Sequence, residues 1–412
     1  MRLLIPIVAA VFVLSGCHKT DPPGASPTGV TATPGDGLVV MSWDTQPELT
    51  YWIFFQPGST VSVATPDSIA IRRAISPRPV SGLTNGIQYA FAMNATRDDS
   101  SAGPNSLSVV ATPRLAGADW VSGTQLGAPP QNLKSIAFNG SRFVTVGDAA
   151  TIFAGDLSYT NVDPPGVLSW MPPTTLPLLF ASDLTSVINN GTFIAMGADG
   201  QVISSADGLT WSANGPVPAS GMSDLAFGFV GGATPTFVAV GAAGKIYLTT
   251  TLVSWDQVGA SLTPNDLTSI SLLNGSFTVT GSGGTLLTSP HGNDWSALNS
   301  NTTNTLRGAA FNPNLSVQYA AVGDAGTIIV SQDGLNWTVI TPPLAQDLLG
   351  ITVGGASGSR FLAVGRGGAV VYSDDGMSWF VASSGASNLA KVRYTSGMYL
   401  AVGDGGANAV AR

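Results

Sequence analysis

The feature that most constrains this chain is a glycine that returns about every 42 residues through its last three quarters. It stands at Gly147, Gly197, Gly241, Gly281, Gly323, Gly365 and Gly403. Each is preceded by apolar alternation, as in Phe143-Val144-Thr145-Val146 or Phe361-Leu362-Ala363-Val364. Each is followed within a few residues by a second small residue and then another apolar run, such as Thr327-Ile328-Ile329-Val330. That is the pattern of a strand, a tight turn and a strand. A leucine after Asn, Asp or Thr opens each unit: Leu133, Leu184, Leu225, Leu267, Leu306, Leu348 and Leu389, in steps of 51, 41, 42, 39, 42 and 41. A tryptophan closes six of them: Trp170, Trp211, Trp255, Trp295, Trp337 and Trp379.

Each unit therefore holds four short strands: one after the leucine, two around the glycine and one carrying the tryptophan. Four strands in a repeat of this length predict a β-propeller blade, and seven units predict seven blades over residues 117–412. The seventh unit ends at Arg412 with three strands and no tryptophan. The missing strand stands before the first unit, as Asp119-Trp120-Val121-Ser122. Placing it in the last blade joins the two ends of the domain and removes an open sheet edge. The fold class expected is all-β.

Three tryptophans follow a shared turn: Ser205-Ala206-Asp207-Gly208-Leu209-Thr210-Trp211, Ser331-Gln332-Asp333-Gly334-Leu335-Asn336-Trp337 and Ser373-Asp374-Asp375-Gly376-Met377-Ser378-Trp379. This resembles the Asp-box (BNR) repeat. The copy at Trp295 has His291 in place of the aspartate, and the one at Trp255 has lost both Asp and Gly. The resemblance implies a structural box. Asp207, Asp333 and Asp375 accept turn N–H groups, Gly208, Gly334 and Gly376 supply φ > 0, and Trp211, Trp337 and Trp379 wedge between blades. The whole unit is similar to the photosystem II stability/assembly factor family and the wider WD40/YVTN/BNR-like class. That class serves enzymes, receptors and assembly factors alike, so the resemblance implies a fold and leaves function open.

Residues 27–113 have another rhythm. Leu38–Trp43, Tyr51–Phe55, Ile87–Ala95 and Ser106–Thr112 read as short strands between turn signals, and 87–95 alternates with period two as a half-buried strand does. This predicts a β-sandwich. The segment resembles a fibronectin type III domain: Pro27-Thr28-Gly29-Val30 opens it, Trp43 stands at the buried tryptophan, and Leu83 with Tyr89 matches the tyrosine corner. The Arg72-Arg73 pair reads as a solvated strand face.

The chain begins with Arg2, an apolar run from Leu3 to Leu14, and Leu14-Ser15-Gly16-Cys17. A basic start, a short apolar core and small residues before a cut site predict a secretory signal over 1–16. The tetrad resembles the lipobox of bacterial lipoproteins. It implies cleavage before Cys17, acylation of that sole cysteine, and stable anchoring through several acyl chains. His18 instead of aspartate at the next position implies the outer membrane of a Gram-negative cell envelope. Residues 17–26, with Pro22 and Pro23, read as a linker.

Composition narrows the chemistry. Glu48 is the only glutamate, His18 and His291 the only histidines, and Cys17 the only cysteine. Acid–base, thiol and zinc chemistry lose most of their usual groups, and neither a metal nor a cofactor is expected. A net charge of −8 argues against a nucleic-acid partner. The enzyme alternative is a sialidase-like glycoside hydrolase. Its family implies three arginines, a tyrosine–glutamate pair and an acidic aspartate, yet residues 117–412 hold no glutamate. Their arginines are Arg142, Arg307, Arg360, Arg366, Arg393 and Arg412. The expected function is instead a lipid-anchored, monomeric binding or scaffold protein that recognises a protein or glycan, with an assembly factor for a membrane complex as a further alternative. The first residues after the repeating glycine, Asp148, Ala198, Ala242, Ser282, Asp324, Arg366 and Asp404, are expected to ring the mouth of the central channel. Asp148, Asp324, Arg366 and Asp404 form its charged arc and are the candidate ligand contacts. The long loop from Met171 to Asp183 is the second candidate.

Overall fold

The computed structural model describes residues 21–63, 69–97, 99, 101–157, 168–177, 181–230, 234–259, 262–355, 358–385, 387–395 and 397–411. The leader with Cys17 lies outside them. The described chain is all-β, with strands, bridges and single 3-10 turns. It divides into two compact units: Met1–Ala32, Met41–Arg78 and Ile87–Ala111 form one, and Thr33–Val40, Pro79–Gly86 and Thr112–Arg412 the other.

In the first unit a four-stranded sheet runs in the order Ile69–Ala74, Thr50–Pro57, Tyr89–Thr96, Val109–Ala111. Thr31–Gly35, Leu38–Ser42 and Arg78–Ser81 form a separate three-stranded sheet. The strand Tyr89–Thr96 differs from its period-two expectation, because all eight residues are buried. Its alternate positions are Ala90, Ala92, Asn94 and Thr96; Ala90 lies between Gln56 and Val110 and Ala92 beside Phe54. A methyl group is short enough to be covered by such neighbours. The last strand is shorter than 106–112. Ser106 still follows its neighbour, but it accepts the Met93 N–H through its hydroxyl (3.0 Å) as well as donating its own N–H to Met93 O (2.7 Å). A side chain taking a ladder position ends regular pairing. Trp43 is buried, 5.5 Å from Tyr51 ring to ring.

The second unit contains seven four-stranded antiparallel sheets. Their first strands are Leu133–Phe138, Leu184–Asn189, Met222–Val230, Leu267–Leu273, Leu306–Phe311, Leu348–Gly354 and Leu389–Thr395. In each sheet the opening residue pairs with the repeating glycine: Leu133 with Gly147, Leu184 with Gly197, Met222 with Gly241, and so on to Leu389 with Gly403. The third unit therefore opens at Met222. Leu225, the opening residue expected from the sequence, stands three positions further along the strand. The reason is chemical equivalence: Met222 fills the same buried apolar place as the leucines, while Leu225 fills the place of Ile136, Val187 and Ile270.

Strands alternate inward and outward with period two, so both faces of each sheet are apolar where they meet neighbours. Seven buried clusters follow. Phe193 and Trp211 pack against Val144, Val146 and Ile152 of the preceding sheet, and the pattern repeats through Phe277 with Trp295 and Tyr319 with Trp337. The seventh cluster joins Met398, Leu400 and Val402 of the last sheet to Leu133, Ile136 and Phe143 of the first. The strand Trp120–Ser122 pairs with Asn408–Ala411 as the fourth strand of the last sheet. In the five sheets between, the fourth strand starts just after its tryptophan, so Trp211, Trp255, Trp295, Trp337 and Trp379 end the turn and do not sit in the strand.

The repeating glycine is required by space. At Gly365 the backbone is extended (φ −166°), a shape open to any residue, but a Cβ would overlap the carbonyl oxygen of Asp347. The turn that follows contains two left-handed residues, and the first tolerates alanine: Ala243 (φ 55°) and Ala325 (φ 53°) stand where Gly367 (φ 61°) does.

Candidate functional site

The first strands of all seven sheets line one cavity of about 440 Å³. Two residues after each opening residue comes a position that faces it: Ser135, Ser186, Asp224, Ser269, Gly308, Gly350 and Lys391. Serine and glycine are expected where seven strands converge and space is short. The charged pair is the exception.

Asp224 is buried and fully engaged. Its Oδ1 accepts from Ser186 Oγ (2.6 Å) and from the Leu225 N–H beside it (3.0 Å). Its Oδ2 accepts from Ser269 Oγ (2.7 Å) and Ile270 N–H (3.2 Å). One carboxylate thus ties three consecutive first strands together. Charge-assisted bonds of this kind are the strong ones, and they leave Asp224 little capacity for a ligand. Lys391, on the seventh sheet, brings Nζ to 3.6 Å from Oδ2, a charge contact longer than a hydrogen bond.

Two residues beyond Lys391 stands Arg393, also lining the cavity. Its Nε donates to Ile136 O (3.3 Å), and its guanidinium has no carboxylate partner among the described residues. Its side chain is exposed to solvent within the cavity. Burial pushes it below the usual arginine range, opposed by the Asp224 charge. Among the described residues, Asp224, Lys391 and Arg393 are the only charged ones lining the cavity, so it carries a net single positive charge.

The candidate arc from the sequence lies at one end of the sheets, in the turns after the second strands. Each member is held within its own sheet. Asp148 pairs with Lys134 and accepts from Asn132 Nδ2 (2.9 Å). Asp324 takes both Nε and Nη2 of Arg307. Arg366 donates to Asp347 (3.0 Å), and Asp404 accepts from Asn388 Nδ2 (2.8 Å). The residue before the opening leucine does more than cap a turn. Asp183, Asp266, Asp347, Asn388 and Asn132 each accept an N–H from the turn of the preceding sheet, at Ala149, Ala243, Ala325, Gly367 and Gly405. The last of these bonds, Gly405 N to Asn132 Oδ1 at 2.9 Å, runs from the seventh sheet to the first. These Asx residues are short acceptors bridging neighbouring sheets. Their recurrence before the opening residue is visible in the sequence, but nothing in the letters shows that the bond crosses to another sheet.

The Asp-boxes repeat one geometry. Asp207 Oδ1 accepts Leu209 N–H and Thr210 N–H (both 2.8 Å), Ser205 Oγ accepts Gly208 N–H (2.8 Å), and Trp211 Nε1 donates to Gly208 O (3.1 Å). Asp333 and Asp375 do the same for their turns, and Trp337 and Trp379 donate to Gly334 O and Gly376 O. The Thr210 and Leu209 amides hold Asp207 down to about 2. Asp333 lies lower still, through both groups of Asn336 and the Leu335 amide. At Asp375 burial works upward, and the Ser378 and Met377 amides outweigh it. Where His291 replaces the aspartate, the serine and tryptophan bonds remain without the carboxylate: Gly292 N to Ser289 Oγ (2.8 Å) and Trp295 Nε1 to Gly292 O (2.8 Å).

The arginines weighed for a sialidase triad go to separate places. Arg142 forks onto Asp156 (2.6 and 2.8 Å) and donates to Asp207 O (2.7 Å). Arg360, nearly buried, forks onto Asp374 (2.6 and 2.8 Å), donates to Ala116 O (2.8 Å) and lies 4.2 Å from the centre of the Tyr372 ring. With Arg307 and Arg366 also paired, Arg393 is the one described arginine of these sheets without a carboxylate. Of the second candidate, the loop 171–183, Thr174 and Thr175 bond to Leu209 O and Thr175 O accepts Trp211 N–H, so this part lies along the Asp-box of the next sheet. Leu178, Leu179 and Phe180 of that loop, Arg412 and Cys17 fall outside the described residues.

The sheets and their shared cavity place this protein among the β-propellers. No family model matches the chain, and no curated protein does. Among solved structures it resembles YCF48 bound to D1 peptide, with a TM-score of 0.53 at 18% identity over 71% of this chain and 96% of that one. It resembles YCF48 from Cyanidioschyzon merolae equally, with a TM-score of 0.53 at 17% identity over 71% of this chain and 98% of that one. At such identities the likeness is one of fold.

Proposed function

We propose that this chain is a lipid-anchored envelope protein that binds a protein partner through a closed, seven-bladed propeller, with a fibronectin type III sandwich over 27–113 as its spacer. Closure is supported by the buried cluster between last and first sheets, the Gly405–Asn132 bond and the Trp120–Ser122 strand. The observation that carries the binding reading is that all seven turns, with Asp148, Asp324, Arg366 and Asp404 among them, lie at one end of the sheets whose first strands share a cavity. A cluster of polar turns at one end of such sheets is a surface suited to a peptide or loop. A role in assembling a membrane complex is the specific form favoured by the neighbour solved with a D1 peptide. Dispersed and paired arginines support a binder over a sialidase-like hydrolase.

Affinity capture from detergent-solubilised native membranes, followed by mass spectrometry, tests this. One defined partner is expected, and its recovery falls when Asp148, Asp324 and Asp404 are together changed to Asn. Turnover of a fluorogenic sialoside or an aryl glycoside by the purified chain would replace the binding reading. Cys17→Ser is expected to move the protein out of the detergent phase in Triton X-114 partitioning. Partitioning equal to the unaltered protein would remove the lipid anchor.

A further inference from the structure

We propose that the cavity shared by the seven sheets is itself a binding site for a small organic monocarboxylate, seated on the guanidinium of Arg393. The site is independent of the rim.

Three observations carry it. The first is charge. The cavity holds two cations and one anion, and the anion is occupied: Asp224 already accepts four hydrogen bonds from Ser186, Leu225, Ser269 and Ile270. Lys391 answers that charge at 3.6 Å. Arg393 is left over. It is exposed within the cavity, and one negative charge would balance this site.

The second is geometry. Arg393 spends only Nε, on Ile136 O. Among the described residues both terminal nitrogens of its fork remain without a hydrogen-bond partner, and a planar fork matches the two oxygens of a carboxylate. The other arginines of the sheets satisfy that preference internally, as Arg142 does with Asp156 and Arg360 with Asp374. The third is room. About 440 Å³ is within the range of small-molecule sites. Gly308 and Gly350 line it without a side chain, and at Gly350 a Cβ would stand 2.8 Å from the Ala390 carbonyl oxygen, so this glycine lets the next first strand approach. Ser271 also lines it and adds a hydroxyl to the lining, so a small hydroxy acid is the first ligand to test.

The experiment uses the purified full chain and sodium lactate, with lactamide as the neutral isostere and sodium chloride at equal ionic strength as the control. Calorimetry and thermal shift are expected to show saturable lactate binding at millimolar concentration or tighter, and none for lactamide. Arg393→Gln is expected to weaken lactate at least tenfold. Arg393→Lys, which keeps the charge without the fork, is expected to fall between, and it decides the matter should the glutamine variant fail to fold. Asp404→Asn, at the rim, is expected to leave lactate binding unchanged. Absence of saturation by lactate, acetate and glycolate up to about 10 mM, the weak end of small-ligand affinity, would overturn the proposal. So would equal affinity for lactamide, or lactate affinity unchanged in both Arg393 variants. Failure to capture any defined macromolecular partner, with lactate binding intact, would remove the rim reading and leave this one standing.

Discussion

Two glycines of one turn, Gly365 and Gly367, are required by different forces, and substituting each with alanine separates them. At Gly365 the backbone is extended (φ −166°), so alanine costs nothing conformationally. Its Cβ would stand 2.9 Å from the Asp347 carbonyl carbon and 3.0 Å from Leu348 Cα, and closer still to the carbonyl oxygen. All of these are backbone atoms of the paired strand, which cannot swing aside like a side chain. Overpacking of this kind costs about 1–3 kcal/mol, and a backbone neighbour on the strand that lines the cavity puts it at the upper end. Gly367 has φ 61° and nothing within 4 Å of a Cβ. There alanine meets only the left-handed penalty of about 1–2 kcal/mol, offset by about 0.4–1 kcal/mol from a less flexible unfolded chain. Ala243 and Ala325 already adopt that shape at the matching place. We expect Gly365→Ala to lose about 3 kcal/mol, roughly 6 °C in Tm for a domain of this size, and Gly367→Ala to stay within about 3 °C. Paired thermal melts followed by near-ultraviolet circular dichroism would measure both. Equal shifts in the two variants would refute the steric account of the repeating glycine.

Three further outcomes are expected. Because Gly123 N bonds Asn408 O (2.8 Å), the alternation of an antiparallel pair puts Val121 at the next bonded position opposite Val410; Val121→Pro should therefore lower Tm and raise proteolysis near the C-terminus more than Ser122→Pro does, and equal effects would exclude this strand from the last sheet's ladder. Asp374→Asn leaves the nearly buried Arg360 without its fork, and with Asp374 itself half-exposed a loss of about 2 kcal/mol is expected in urea unfolding, against less than about 0.5 kcal/mol for the exposed Arg366→Gln. Asp207 is held down to about 2 in the fold from an ordinary 3.8, so its contribution is present above about pH 4 and vanishes as pH falls through about 2; the stability difference between the unaltered protein and Asp207→Asn should shrink across that window, and a difference constant from about pH 5 to about pH 2 would show that the turn amides do not depend on the charge.

The repeat is legible because three of its residues are fixed by packing, and one of these by a hydrogen bond as well. The glycine faces a carbonyl, the tryptophan packs between sheets and donates to a glycine oxygen, and the opening residue is buried wherever a first strand begins. The strand at Trp120 can be placed because one spare tryptophan strand and one incomplete unit are complementary. What the letters conceal is register within a unit. Leucine and methionine fill the same buried place, so a search for leucine opens the third unit at Leu225 when it opens at Met222. The strand Tyr89–Thr96 hides its full burial for a similar reason, since alanine reads as indifferent and is buried here, Ala90 beside Val110 and Ala92 beside Phe54.

That one slip of register keeps the cavity out of sight. With Leu225 as the opening residue, Asp224 falls into the class of Asp183, Asp266 and Asp347, acidic residues that precede a unit and accept an N–H from the neighbouring turn. With Met222 in its place, Asp224 moves into the class of Ser135, Ser186 and Ser269, and its partner across the cavity becomes Lys391. The two classes differ by three positions in sequence and by environment entirely: the first lies among the turns, exposed or half-exposed, and the second is buried where seven strands converge. A carboxylate at the second position needs a cation, and Lys391 is the only residue of its class that supplies one. Arg393, two residues on, then has no carboxylate to pair with among the described residues. In a chain with 16 basic residues in 412, an arginine without a carboxylate inside a cavity is not a by-product of composition. The four other described arginines of these sheets show that the fold readily provides a partner where one is wanted. It leaves Arg393 to a ligand.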